Sequence, residues 1–171
     1  MLVRLTKLPD PSAALRALEE IFFLSAGRTE FPSETARANF FKTWTGWYLE
    51  NAPWDVWFWR DHDGSFAGYL TGCLDSMDAE GLFKTIPKYD TFDDLFPRFP
   101  AHLHVNVHPD HRSHGIGAKL VERFVADCVA EGIPGVHVVT AAQMRNVGFY
   151  NRLGFTEAVR RGPLLFLGRP L

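Results

Sequence analysis

The chain has 171 residues, of which 46% are hydrophobic, 14% aromatic and 22% charged, with a formal net charge of -2. That length and apolar share support one buried core without metal or disulfide staples, and predict a single domain over residues 1–171. The near-neutral balance excludes broad attraction to nucleic acid or to an anionic membrane, so a polyanionic ligand would need a local site.

Residues 2–6 alternate weakly and predict a first strand. Asp10 and Pro11 form a helix start; Leu15, Leu18, Ile21, Phe22 and Leu24 then recur at helical spacing, and Gly27 offers a stop. A second helix is expected from Ser33, carrying Phe40, Phe41, Trp44, Trp47 and Tyr48. VWFWRD and SFAGYLTGCL, joined by the turn at His62–Gly64, read as a hairpin. All five tryptophans lie between Trp44 and Trp59, and packing of that helix on the hairpin explains them more readily than a substrate wall.

Residues 75–100 are a long excursion with one expected short helix near Phe92–Phe96; its acidic patch, Asp90, Asp93 and Asp94, reads as a solvated loop. HLHVNV is the next strand. Residues 116–130 place Ile116, Leu120, Val121, Phe124, Val125 and Cys128 on one helical face, with Gly132 as the stop. A strand over 135–140, a helix over 142–153 ending at Gly154, and the strand pair FTEAV and LLFLG complete the chain. Strand, helix, strand in this half predicts parallel neighbours. The alternation defines an α/β fold.

Cys73 and Cys128 lack metal-type or CxxC spacing and suit a reducing compartment. No apolar run precedes a cleavage-type site, and none approaches a membrane span, so a cytoplasmic protein is expected.

Five of the seven histidines crowd into residues 102–117, HLHVNVHPDHRSHGIG. His102 and His104 share strand parity, as two metal ligands would, yet the loop behind them has a better explanation. Arg112, Ser113, His114, Gly115, Ile116, Gly117 and Ala118 lead directly from strand to helix. Glycines there let backbone amides approach an anion, and the helix N-terminus adds a favourable field. The spacing fits neither GxGxxG nor GxxxxGK[ST], which excludes the Rossmann and P-loop readings. No metal is expected.

RxxGxG after a strand ending V-x-P resembles the acetyl-CoA loop of the GCN5-related N-acetyltransferases (GNAT). Asn146, Phe149, Tyr150, Gly154 and Phe155 resemble that family's second signature. The resemblance covers residues 101–171 well, and earlier residues only by element order and the GYLTG strand. FPAHLHVNVHPDHRSHGIG, PGVHVVTAAQ and LGRPL are further similar to bacterial relatives of the acetyltransferase-like domain of O-GlcNAcase.

The resemblance implies a central mixed twisted sheet of six to seven strands flanked by about four helices, with acetyl-CoA as cosubstrate and an amine as acceptor. It implies that Val105 and Val107 pair with pantetheine through their backbone. It puts the diphosphate on amides from Ser113 to Ala118 beside Arg112 and His114, with Asn146 and Phe149 near the cofactor. Tyr150 matches the general acid that protonates the departing thiolate. Many members carry a carboxylate base on the strand before the loop; this chain has only His104 there, with His102 beside it. A catalytically weak acyl-CoA-binding or protein-interaction module with the same fold is the competing expectation.

Overall fold

The computed structural model describes residues 1–171. Its strands are β1 (Leu2–Arg4), β2 (Val56–Arg60), β3 (Phe66–Cys73), β4 (Ala101–Val107), β5 (Gly135–Ala141), β6 (Glu157–Arg161) and β7 (Leu164–Pro170). They hydrogen-bond in the order β1-β2-β3-β4-β5-β7-β6. The pairs β1–β2, β2–β3, β5–β7 and β6–β7 are antiparallel, whereas β4 and β5 run parallel as the strand–helix–strand pattern predicts. The sheet is therefore mixed and seven-stranded, as expected.

Six helices accompany it: α1 (Ser12–Ser25), α2 (Glu34–Phe41), α3 (Trp47–Asn51), α4 (Glu80–Thr85), α5 (Ile116–Ala130) and α6 (Asn146–Arg152). Two more than expected arise for local reasons. The second predicted helix is split by a π-helical turn, Lys42–Gly46, and the excursion contributes α4 as well as a 3₁₀ stretch over Tyr89–Leu95. The first strand ends early because Leu5–Lys7 turns into a 3₁₀ helix, and α6 begins only at Asn146.

Ser33 caps α2 as read, its Oγ accepting from the Ala36 amide at 3.1 Å. Ahead of α1 the capping position is Pro11, which has no side-chain cap, and Asp10 Oδ1 instead accepts from the Ser12 amide at 2.9 Å. Gly132 and Gly154 stop α5 and α6 with φ of +70° and +83°, which a residue bearing Cβ adopts only with strain.

The chain divides into two compact units, with boundaries inside β4 and inside α5. The first comprises Met1–Gly72 and His104–Val121. Its core joins Ala14, Leu18, Ile21 and Phe22 of α1 to Val56, Phe58 and Tyr69, with Phe40, Phe41 and Trp44 packed alongside. Gly68 lets α5 approach closely: a Cβ there would stand 3.1 Å from both Asn106 O and Ile116 Cγ2. The aromatic cluster is thus chiefly packing, although Trp54 is half exposed.

The second unit comprises Cys73–Leu103 and Glu122–Leu171. Its centre is Phe92, Phe96, Phe99 and Phe166. The acidic patch takes a partner here, since Arg161 grips Asp94 through two bonds of 2.6 and 2.8 Å. Both cysteines are buried thiols.

Candidate functional site

In the first unit, β4 leads through a 3₁₀ turn, Pro109–His111, into the glycine loop. Ser113 and Gly115 both take left-handed backbone, φ 66° and 76°, on either side of His114. Nothing lies within 4 Å of a Cβ built on Gly115, so glycine is required there for its backbone angle and not for room. Such alternation curls successive amides into an anion-binding concavity. The Lys119 amide donates to Gly115 O at 3.0 Å, so the amides of Ile116, Gly117 and Ala118 precede the helical ladder and remain donors. No acidic residue stands in the first turn of α5 to oppose an anion.

Side chains hold the loop in shape. Arg112 Nε donates to Val107 O at 3.2 Å, and its Nη2 reaches Ser25 Oγ at 3.4 Å. His114 Nδ1–H donates to His111 O at 3.2 Å. His111 sits 3.2 Å from Asp61, whose other oxygen accepts from Trp59 Nε1 at 2.8 Å, so the loop is anchored to the β2–β3 hairpin. Backbone amides, a guanidinium and a helix start make a donor set that suits a diphosphate.

The ladder between β4 and β5 is two pairs long, Ala101↔Val136 and His102↔His137. Val105 and Val107 lie beyond it, with no β5 partner in register.

His104 faces a cavity of about 150 Å³ within the first unit, lined by Phe22, Ala26, Phe40, Trp44, Thr45, Tyr69, Thr71 and Asn106 besides His104 itself. Its ring meets Tyr48 edge to face, with centroids 5.7 Å apart. Burial among these groups pushes the imidazole down to about 4, so it is neutral at pH 7. Asn106 Nδ2 donates to Tyr69 Oη at 2.8 Å, and burial holds the Tyr69 phenol well above its ordinary value.

Sequence reasoning missed Asn106, Tyr69, Thr71 and Thr45. Strand parity would have found two pairs, because Asn106 follows His104 and Thr71 follows Tyr69 at the two-residue spacing that shares a face. Thr45 reaches the cavity through the π-turn, which carries no sequence signal.

His102 has a different setting, in the second unit. It is 4% exposed, and its Nδ1 lies 2.7 Å from Ser76 Oγ. The Ser76 hydroxyl donates its single proton to Pro100 O at 2.6 Å, so His102 must be the donor to Ser76. The tautomer is thereby fixed, with the proton on Nδ1. His102 thereby ties the excursion to β4 within the second unit.

Three further predicted residues belong to the second unit. Asn146 opens α6 and accepts at Oδ1 from Thr140 Oγ1, 3.1 Å away, which leaves its Nδ2 side for donation. Phe149 is half-buried and meets Tyr150 edge to face at 5.1 Å. Tyr150 is 6% exposed, packs on Phe155, and burial holds its phenol protonated well above the ordinary tyrosine range. Nowhere do three His, Cys, Asp or Glu side chains converge as metal ligands, and His102 and His104 serve separate surroundings.

This fold recurs in solved acetyltransferases. The chain is similar to the protein SsHAT, with 22% identity over 99% of this chain and 97% of that one, at a TM-score of 0.80. It is similar to a GNAT superfamily phosphinothricin acetyltransferase from Sinorhizobium meliloti, solved with AcCoA, at 21% identity, 100% and 88% coverage and a TM-score of 0.62. It is also similar to the ribosomal-protein-S18-alanine N-acetyltransferase from Escherichia coli, at 17% identity, 99% and 92% coverage and 0.61. The likeness to these structures is one of fold. Residues 14–155 match the acetyltransferase (GNAT) family, and the chain belongs to it. The cosubstrate of that family is acetyl-CoA.

Proposed function

We propose that the protein moves acetyl directly from acetyl-CoA to a primary amine. The observation that carries this reading is the loop with two left-handed residues ahead of α5, held by Arg112. Amides from Ser113 to Ala118 take the diphosphate, with Arg112 and His114 beside it. Val105 and Val107 lend their backbone to pantetheine as an added strand, and Asn146 and Phe149 hold the cofactor's pantetheine region.

The chemistry then follows from protonation states. The neutral amine attacks the thioester carbonyl carbon, a C–N bond forms, and the C–S bond breaks. Tyr150 gives its proton to the departing thiolate, and His104 accepts the proton that the nitrogen loses, so the products are an amide and CoA–SH. Tyr150 remains protonated at every working pH because burial raises its pKa. His104 remains neutral for the same physical reason acting on the opposite charge type.

One observation favours a second reading. A base held at about 4 drives proton transfer weakly, and no carboxylate lines the cavity. An acyl-CoA-binding module with little turnover is consistent with that. A cytoplasmic location, which two buried thiols fit, and kinship with the O-GlcNAcase-like bacterial group belong to the same proposal. A thiol-release assay over an amine panel separates the two readings. Turnover that Tyr150→Phe removes supports the transferase; background rates with every amine support the module.

A further inference from the structure

The cavity beside His104 is built in two chemical halves. Phe22, Phe40 and Trp44 form a continuous aromatic wall, with centroid separations of 5.6 Å for Phe22–Phe40 and 6.4 Å for Phe40–Trp44. Thr45, Tyr69, Thr71, His104 and Asn106 supply the polar groups. The π-turn Lys42–Gly46 is what makes the wall and the polar side meet: it widens the helix by one residue, and consecutive residues Trp44 and Thr45 both line the space. Thr45 is 3% exposed, with its hydroxyl returned to Phe41 O.

Charge is the deciding absence in the lining. None of the nine side chains is Asp, Glu, Lys or Arg, and the one titratable imidazole is neutral at pH 7. A second ammonium or a carboxylate on the acceptor would be desolvated there without a partner. Size points the same way. About 150 Å³ is the room that a benzene ring fills in an apolar protein cavity.

We propose that the acceptor is a small primary amine whose body is a single aromatic ring or an equally short hydrocarbon, with no second charge: an arylalkylamine. This rests on the transferase reading above and names its substrate class. The ring lies against Phe22, Phe40 and Trp44. The nitrogen points to His104 and to Asn106 Oδ1, since Asn106 has committed Nδ2 to Tyr69. The Phe40 and Trp44 rings thus set specificity, and His104 meets the reacting atom.

The test is kcat/KM by thiol release for phenylethylamine, diaminobutane, glucosamine and a lysine-containing peptide, with acetyl-CoA affinity measured in parallel. Phenylethylamine is expected to lead the others by at least about tenfold. Trp44→Ala is expected to lower its kcat/KM by about tenfold or more, leaving acetyl-CoA affinity unchanged. Asn106→Asp, which adds a carboxylate of nearly the same shape, is expected to raise diaminobutane relative to phenylethylamine. Preference for diaminobutane, the sugar or the peptide overturns this inference while leaving the transferase reading intact. Should acetyl-CoA bind and no amine turn over, the transferase reading falls. The cavity is then judged by the tryptophan fluorescence that Trp44→Phe removes: saturable quenching by phenylethylamine but not diaminobutane supports the assignment, and no quenching overturns it.

Discussion

Replacing His104 by Gln probes the one imidazole of the cavity. In an unfolded chain this imidazole protonates near 6.5, while the folded environment holds it down to about 4. Between those values the unfolded state binds the proton and the folded state does not, so acid withdraws stability. The effect is nearly absent at pH 7, grows as pH falls through 6.5, and is complete below about 4. Working the two binding curves gives a loss of about 2 kcal/mol between pH 7 and pH 5, and about 3 kcal/mol by pH 4. Denaturant titration of wild type and His104→Gln at pH 7 and pH 5 reads the difference directly. Wild type is expected to lose about 2 kcal/mol more than the variant over that interval. The same group is expected to give one imidazole proton resonance that shifts only near pH 4 and vanishes in the variant. Identical pH slopes for the two proteins would refute the claim that burial controls His104.

Tyr150→Phe is expected to lower kcat by about 10²–10⁴-fold with acetyl-CoA affinity retained, as measured by thiol release and calorimetry. In wild type, with the phenol pushed above its ordinary value, no alkaline loss of rate traceable to Tyr150 is expected below pH 10. Ser76→Ala removes the acceptor of the His102 Nδ1 proton and is expected to cost about 1–3 kcal/mol in unfolding experiments with kcat unchanged; a fall in kcat at full folding would give His102 a catalytic role after all. Gly135→Ala sets a Cβ 2.5 Å from Arg98 O and 2.6 Å from Phe99 Cδ1, and because backbone cannot yield cheaply, about 3 kcal/mol and several degrees of melting temperature should be lost.

The second half of the chain was legible because pattern and chemistry agree there. The apolar stripe from Ile116 to Cys128 gave α5 the observed limits, and the glycine loop followed from RSHGIG with no help from tertiary structure. The first half was less so. A π-turn needs tertiary packing to exist, so one expected helix became α2 and α3, and α4 lay hidden in an excursion without helical periodicity. The histidines show the limit most sharply. His102 and His104 share parity on one strand and read alike, yet one donates to a buried serine and the other faces a cavity. Only their neighbours, from residues 26 positions before His102 and 60 before His104, distinguish a lock from a candidate base.

On the proposed reading, the loop before α5 holds acetyl-CoA. Calorimetric titration of the intact chain with acetyl-CoA, carried to about 1 mM, tests it most directly. Saturable one-site binding that weakens with added salt and with Arg112→Ala is expected, because phosphate contacts dominate. No saturable heat with the folded protein would contradict it.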